Sequence, residues 1–213
     1  MVYNCCQSRW NSRYSPDTSE MTHVGCCGKT SVFVKVSAFL FLFAFVLLLL
    51  GFGTPLWSAR DGQSEGLWER CTGSVCVSTL DDPLGDEAWF IAVQALVTIG
   101  FILGLGGVVL SFIIMFDVAC THRKAIRIAA IVHAFVPAAL LLSGVFVYWI
   151  RGEIYFAVFY LGFSWGITLS AAIVFIIAGI LLSVDLDRLH NYHDEAAAST
   201  SDHPEAPAVE EHH

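Results

Sequence analysis

The stretch VSAFLFLFAFVLLLLGFGTPLW, Val36–Trp57, decides the class of this protein. It holds no Asp, Glu, Lys or Arg, and it outruns the roughly 10–14 apolar residues of a buried core helix or a signal-peptide core. A helix needs about 20 such residues to cross some 30 Å of hydrocarbon. Three further runs meet the same test: Ala88–Phe116, Ile128–Ile150 and Ile154–Val184. With their flanks, the four runs predict spans at about 32–53, 88–116, 126–150 and 154–184. Lipid offers no water to bond the backbone, so each run must satisfy its own amides and reads as a helix. Leu, Ile, Val and Phe follow one another without the two-residue alternation of a barrel strand.

Composition agrees. Hydrophobic residues make up 56% of the chain and charged ones 14%, against about 25% charged in soluble domains. The net charge is −8, and the acids lie between and beyond the spans. Nucleic acid is not an expected partner, because phosphate binding needs clustered Lys and Arg. Membrane lipid is the expected surrounding. The first span is read as a permanent anchor rather than a cleaved leader, since its apolar run is too long and no A-x-A site follows. Lys35 stands at its edge, where a long side chain can reach the headgroups.

Lys and Arg set the orientation. Arg9, Arg13, Lys29, Lys35, Arg123, Lys124, Arg127 and Arg188 fall on one side, and Arg60, Arg70 and Arg151 on the other. The richer side is the cytoplasmic one, which predicts both termini inside and a multi-pass plasma-membrane protein. Cysteine placement makes the same choice. Cys71 and Cys76 alone fall outside, and Cys5, Cys6, Cys26, Cys27 and Cys120 fall inside. Disulfides persist outside and are rare in cytosol.

Between the spans the chain is polar. Residues 1–31 show no apolar periodicity and are expected to be disordered, as is an acidic cytoplasmic tail over 185–213. The second outside loop has Arg151-Gly152-Glu153 as its polar core, with Tyr155–Leu161 as an outward extension of the fourth helix. The first outside loop, residues 54–87, is the largest soluble piece expected to be ordered. Strands are expected at Thr54–Ser58, Leu67–Cys71 and Val75–Leu80. Cys71 and Cys76 bracket Thr72-Gly73-Ser74-Val75, a hairpin turn with Gly available for positive φ. A disulfide there closes a small ring worth about 2 kcal/mol. The fold class is therefore an all-α membrane protein: a four-helix transmembrane bundle carrying a small antiparallel β-sheet from its first outside loop.

That loop carries a motif. Trp57, then Gly66-Leu67-Trp68, then Cys71 and Cys76, all between the first and second of four spans, resemble the claudin superfamily of peripheral myelin protein, epithelial membrane proteins, claudins and calcium-channel gamma subunits. Glu87-Ala-Trp89, Val93-Gln94-Ala95 and Gly162-Phe-Ser-Trp165 are similar to segments of its second and fourth spans. The likeness covers about Lys35 to Ser183. The two cysteines stand closer than in many claudins, and the chain ends Glu211-His212-His213, so no PDZ-type contact is expected at its C-terminus.

Each marked residue has a plain reading beside a sharper one. Trp57, Gly66, Leu67 and Trp68 lock the loop to the bundle or touch a partner. The loop holds Asp61, Glu65, Glu69, Asp81, Asp82, Asp86 and Glu87 against Arg60 and Arg70, a net of −5. Asp61, Glu65 and Glu69 are the acids that would attract cations or contact a partner, unless they form a solvated face. Cys26, Cys27 and Cys120 lie near the inner membrane face and are either palmitoylated or free thiols. His133 is the ionisable residue inside a span, with Pro137 beside it in sequence as a kink site. Gly100 with Gly104, and Gly162 with Gly166, have the spacing of close helix seams.

No nucleophile–base pair, metal cluster or phosphate loop occurs in the sequence, and Ser, His and Asp are scattered over segments on opposite sides of the membrane. No enzyme, cofactor or metal is expected. The resemblance implies cell–cell contact, junction or membrane organisation through the first loop, in homo- or hetero-oligomers formed in cis or trans. The alternative is an auxiliary, gamma-like subunit of an ion channel or receptor.

Overall fold

The computed structural model describes residues 31–60, 62–81, 83–116, 123–155 and 160–201. The N-terminal residues expected to be disordered, and residues 202–213, lie outside it. Among the described residues, four helices are long and apolar enough to cross a membrane. They are α1 (Val32–Gly53), α2 (Ala88–Met115), α3 (Arg123–Tyr155) and α4 (Phe163–Ser201). Five short strands accompany them: β1 (Ser58–Arg60), β2 (Gln63–Glu65), β3 (Glu69–Thr72), β4 (Val75–Ser78) and β5 (Tyr160–Leu161). The bundle with its small antiparallel sheet is the fold class that the sequence implies.

Each helix packs on two neighbours, α1 chiefly on α4 and α2 chiefly on α3. The reason is legible in α3. Its buried face runs Arg127, Ala130, Ala134, Ala138, Leu141, Val145, Tyr148 at helical spacing, polar only at the two ends. In α4 the same logic gives Ser164, Thr168, Ala171, Phe175, Ala178, Leu182 and Asp185. Alanines along the middle let the helix backbones approach, and dispersion rather than water expulsion holds them in lipid. Outward, Phe39, Ile102, Val109 and Ile177 are exposed along the helices, as lipid-facing side chains are. Gly100 faces Leu141 of α3 and Gly104 faces Phe175 of α4, each at 3.2 Å from an added Cβ, so each makes a close contact but with a different helix. Helix α3 runs unbroken through Pro137.

The sheet has the order β4-β3-β2-β1-β5, all pairs antiparallel. Three expectations need correction here. Tyr160–Leu161 does not extend the fourth helix: it pairs with Ser58–Ala59 as β5. A charge-free run gives a helix's length but not its start, and Gly162 sets that start. Its N–H donates to Trp57 O at 2.8 Å, and an added Cβ would stand 2.0 Å from Leu56 O. Gly166 has open space around it, so Gly162 and Gly166 are not a helix seam. Arg151-Gly152-Glu153 is likewise not a loop but the last turns of α3.

The other corrections concern boundaries. Helix α4 continues through Ser201, where a disordered tail was expected from residue 185. No Gly or Pro interrupts 185–201, and Leu, Arg, Glu and Ala favour the helix. The strands sit a few residues from the expected ones, and Gln63–Glu65 is a strand with no β-forming residue in it. Its neighbours on both sides supply the ladder, which overrides local preference.

Gly162→Ala is expected to destabilise the protein by about 2–3 kcal/mol, because backbone must move to admit the methyl group. Gly166→Ala is expected to stay within about 0.5 kcal/mol. Heat unfolding of both variants in lipid nanodiscs checks the contrast.

Candidate functional site

The loop motif turns inward. Trp57 is fully buried; its indole N–H donates to Gly51 O at 2.8 Å, and its ring meets Tyr148 of α3 edge-on at 5.1 Å. Its backbone N–H donates to Glu65 O at 2.7 Å. Gly66 is needed because an added Cβ would lie 2.5 Å from Pro55 Cα. Leu67 is fully buried, and its carbonyl accepts from Gln94 Nε2 at 2.6 Å and from Thr79 Oγ1 at 3.0 Å. Trp68 is half-buried against Phe52 of α1, whose ring stacks in turn on Phe101 of α2. Thr54 and Ser164 share a hydrogen bond at 2.6 Å, tying the end of α1 to the start of α4.

Beneath the sheet lies a polar network. Tyr148 donates to Ser58 Oγ at 3.1 Å, Ser58 Oγ lies 3.4 Å from Glu65 Oε2, and Glu65 pairs with Arg70 at 2.7 Å. Ser58, Glu65 and Arg70 are cross-strand partners on one face of the sheet. The opposite face carries Ala59, Ser64, Cys71, Cys76 and Tyr160, which are also cross-strand partners. An open, shallow depression there is lined by Ala59, Gln63, Ser64, Cys71 and Tyr160.

Cys71 and Cys76 are joined, directly opposite one another across β3 and β4. Gly73 makes the turn with φ +60°. The carboxylate of Glu69 lies within 4.8 Å of both sulfurs; bonded to each other, these sulfurs offer a metal no thiolate.

The three acids marked in the sequence have different surroundings. Glu69 is exposed, whereas Glu65 is 8% exposed and already holds Arg70. Asp61 lies outside the described residues, as do Cys26, Cys27 and Cys120. His133 bonds through Nδ1 to Ala129 O at 2.9 Å and stands beside Gly106, so its ring is held within its own helix turn and against α2.

Sequence reasoning missed Tyr148 and Gln94 as anchors of the loop. The signal was there: each is a polar residue inside an apolar run. It also missed Arg127 with Asp185, which bond at 2.6 Å at the end of the bundle away from the sheet. In the sequence Arg127 reads as a cation of the inside loop and Asp185 as the first residue of the acidic tail.

A four-helix membrane bundle bearing a disulfide-linked antiparallel sheet between its first two helices defines a class, that of four-span membrane proteins with a structured first loop. Residues 30–182 match the model of the PMP-22/EMP/MP20/Claudin family, and the chain belongs to it. No individual curated protein matches the chain.

Glu65→Gln is expected to cost about 1–3 kcal/mol, because the charge-assisted contact between Glu65 and Arg70 is lost. Glu69→Gln is expected to be near neutral. A paired Cys71→Ser/Cys76→Ser variant should lose about 2 kcal/mol, the entropy of a small ring. Thermal unfolding of the three variants in nanodiscs ranks them.

Proposed function

We propose that this protein organises contacts between membranes or within one membrane, with the sheet as its working surface. Both termini lie in the cytoplasm of a plasma-membrane protein in this reading. Eight Lys and Arg against three support the orientation, and so does the disulfide at the sheet end.

The observation that carries the reading is the division of labour in the first loop. Trp57, Leu67, Gln94 and Tyr148 consume the sheet's underside. Glu69, Tyr160, Val75 and Val77 remain exposed, on a sheet too well seated to swing. A rigid exposed surface spends little entropy on binding. Its partner is a second copy or another membrane protein, in the same membrane or an apposed one. Of the two candidate acids among the described residues, Glu69 rather than Glu65 is exposed to cations or to a partner's basic side chain.

The test is location. Tagged protein is expressed in mixed cultures, and boundaries between two expressing cells are compared with boundaries between an expressing and a non-expressing cell. Several-fold enrichment at the first kind is expected, and an N-terminal epitope should bind antibody only after permeabilisation. Uniform surface distribution together with co-purification of a channel or receptor would overturn contact formation in favour of an auxiliary subunit.

A further inference from the structure

At the end of the bundle away from the sheet, one carboxylate ties three helices together. Asp185 of α4 is 5% exposed and accepts from Arg127 Nη1 of α3 at 2.6 Å. Its other oxygen accepts the hydroxyl of Ser31, which caps α1. The same Ser31 oxygen accepts the N–H of Val34 at 3.4 Å. Arg188, further along α4, holds its guanidinium 4.5 Å from the centre of the Phe33 ring, so this second cation of the corner is already engaged. Ser31 is half-buried, with extended backbone, and Val32 beside it is exposed.

We propose that Ser31 is a phosphorylation site, and that phosphate there loosens α4 from α1 by competing with Asp185 for Arg127. The proposal rests on the reading that this end faces the cytoplasm, where protein kinases and ATP are. A kinase transfers the γ-phosphoryl group of ATP to Ser31 Oγ. The bond from γ-phosphorus to the bridging oxygen breaks, ADP leaves, and the hydroxyl proton passes through the kinase's base to water. Lys29 precedes Ser31 by two residues and Lys35 follows by four, a flank that suits a basophilic kinase. Fraying of the first turn exposes the hydroxyl, since helix ends open at little cost.

Modification changes the charge balance of a nearly closed site. The hydroxyl donor to Asp185 is lost, and about −1.5 to −2 charges arrive beside the carboxylate. One buried guanidinium cannot neutralise both groups. The N-terminus of α1 favours the phosphate. Arg127 therefore turns to it, and Asp185 is left buried without its cation, the costly state of a broken buried pair. Because α4 is continuous through Ser201, movement at Asp185 is carried along the rest of that helix.

The experiment encodes phosphoserine at position 31 in the full chain and measures thermal unfolding in nanodiscs. In the natural sequence the phosphate should lower Tm by roughly 5 °C. In an Asp185→Asn background it should raise Tm, because the phosphate then takes Arg127 unopposed. Ser31→Ala removes the cap and, in the natural background, the hydroxyl donor to Asp185 as well; it lowers Tm slightly in both backgrounds. A phosphate effect of the same sign in both backgrounds overturns the competition. Separately, chain recovered from cells under serine/threonine phosphatase inhibition should carry phosphate localised to Ser31 by mass spectrometry. Its absence while the N-terminus maps inside overturns the site itself. An N-terminus that maps outside overturns the orientation, and the site with it.

Discussion

Hydrocarbon leaves no water for an unbonded polar group, and the rest of this structure follows from that constraint. It forces the backbone into helices, and it also sorts the side chains along them. The buried stripes of α3 and α4 are apolar and mostly small in the middle and polar at the ends. At one end Tyr148 and Ser164 meet the loop; at the other Arg127 and Asp185 meet each other. These four groups find partners elsewhere in the chain, while Thr168 bonds back to Ser164 O within α4. The bundle is thus held by dispersion in its middle and by directional bonds at its two rims.

The spans were legible because charge is absent from them, and absence is a signal that needs no partner to read. Ala88–Met115 ends within a residue of its charge-free run, and Val32–Gly53 overlaps the run Val36–Trp57 but lies four residues earlier. The sheet was only half legible. Gly73 and the two cysteines announced one hairpin, since turn chemistry is local. Gln63–Glu65 and Tyr160–Leu161 announced nothing, because their strand conformation comes from the ladder beside them. The end of α4 was misjudged for a related reason. Polarity beyond Val184 looked like the end of structure, yet polarity ends only the membrane crossing. Between Val184 and Ser201 no Gly or Pro occurs, and the helix continues through that stretch.

The loop motif could be found in the sequence, but its direction could not. Trp57, Gly66 and Leu67 fit the loop to the bundle, and residues with that duty face inward. Glu65 teaches the same lesson about charge. Counted with the other acids it contributes to a negative field; placed beside Arg70 at 2.7 Å it contributes to the seat. Glu69 and Tyr160 are among the positions that the seat leaves exposed.

The fifth strand binds the protein's history to its architecture. Ala59 pairs with Tyr160, roughly a hundred residues further along the chain. During synthesis β1 therefore emerges with one edge open and keeps it open until the third helix has been made. Trp57 O also waits, since its partner is the N–H of Gly162. A nascent chain holding only α1, α2 and the loop presents an unfinished edge of the kind chaperones recognise. Closure of that edge waits for residues made after α3, so the sheet is completed only once three of the four helices precede it in the chain.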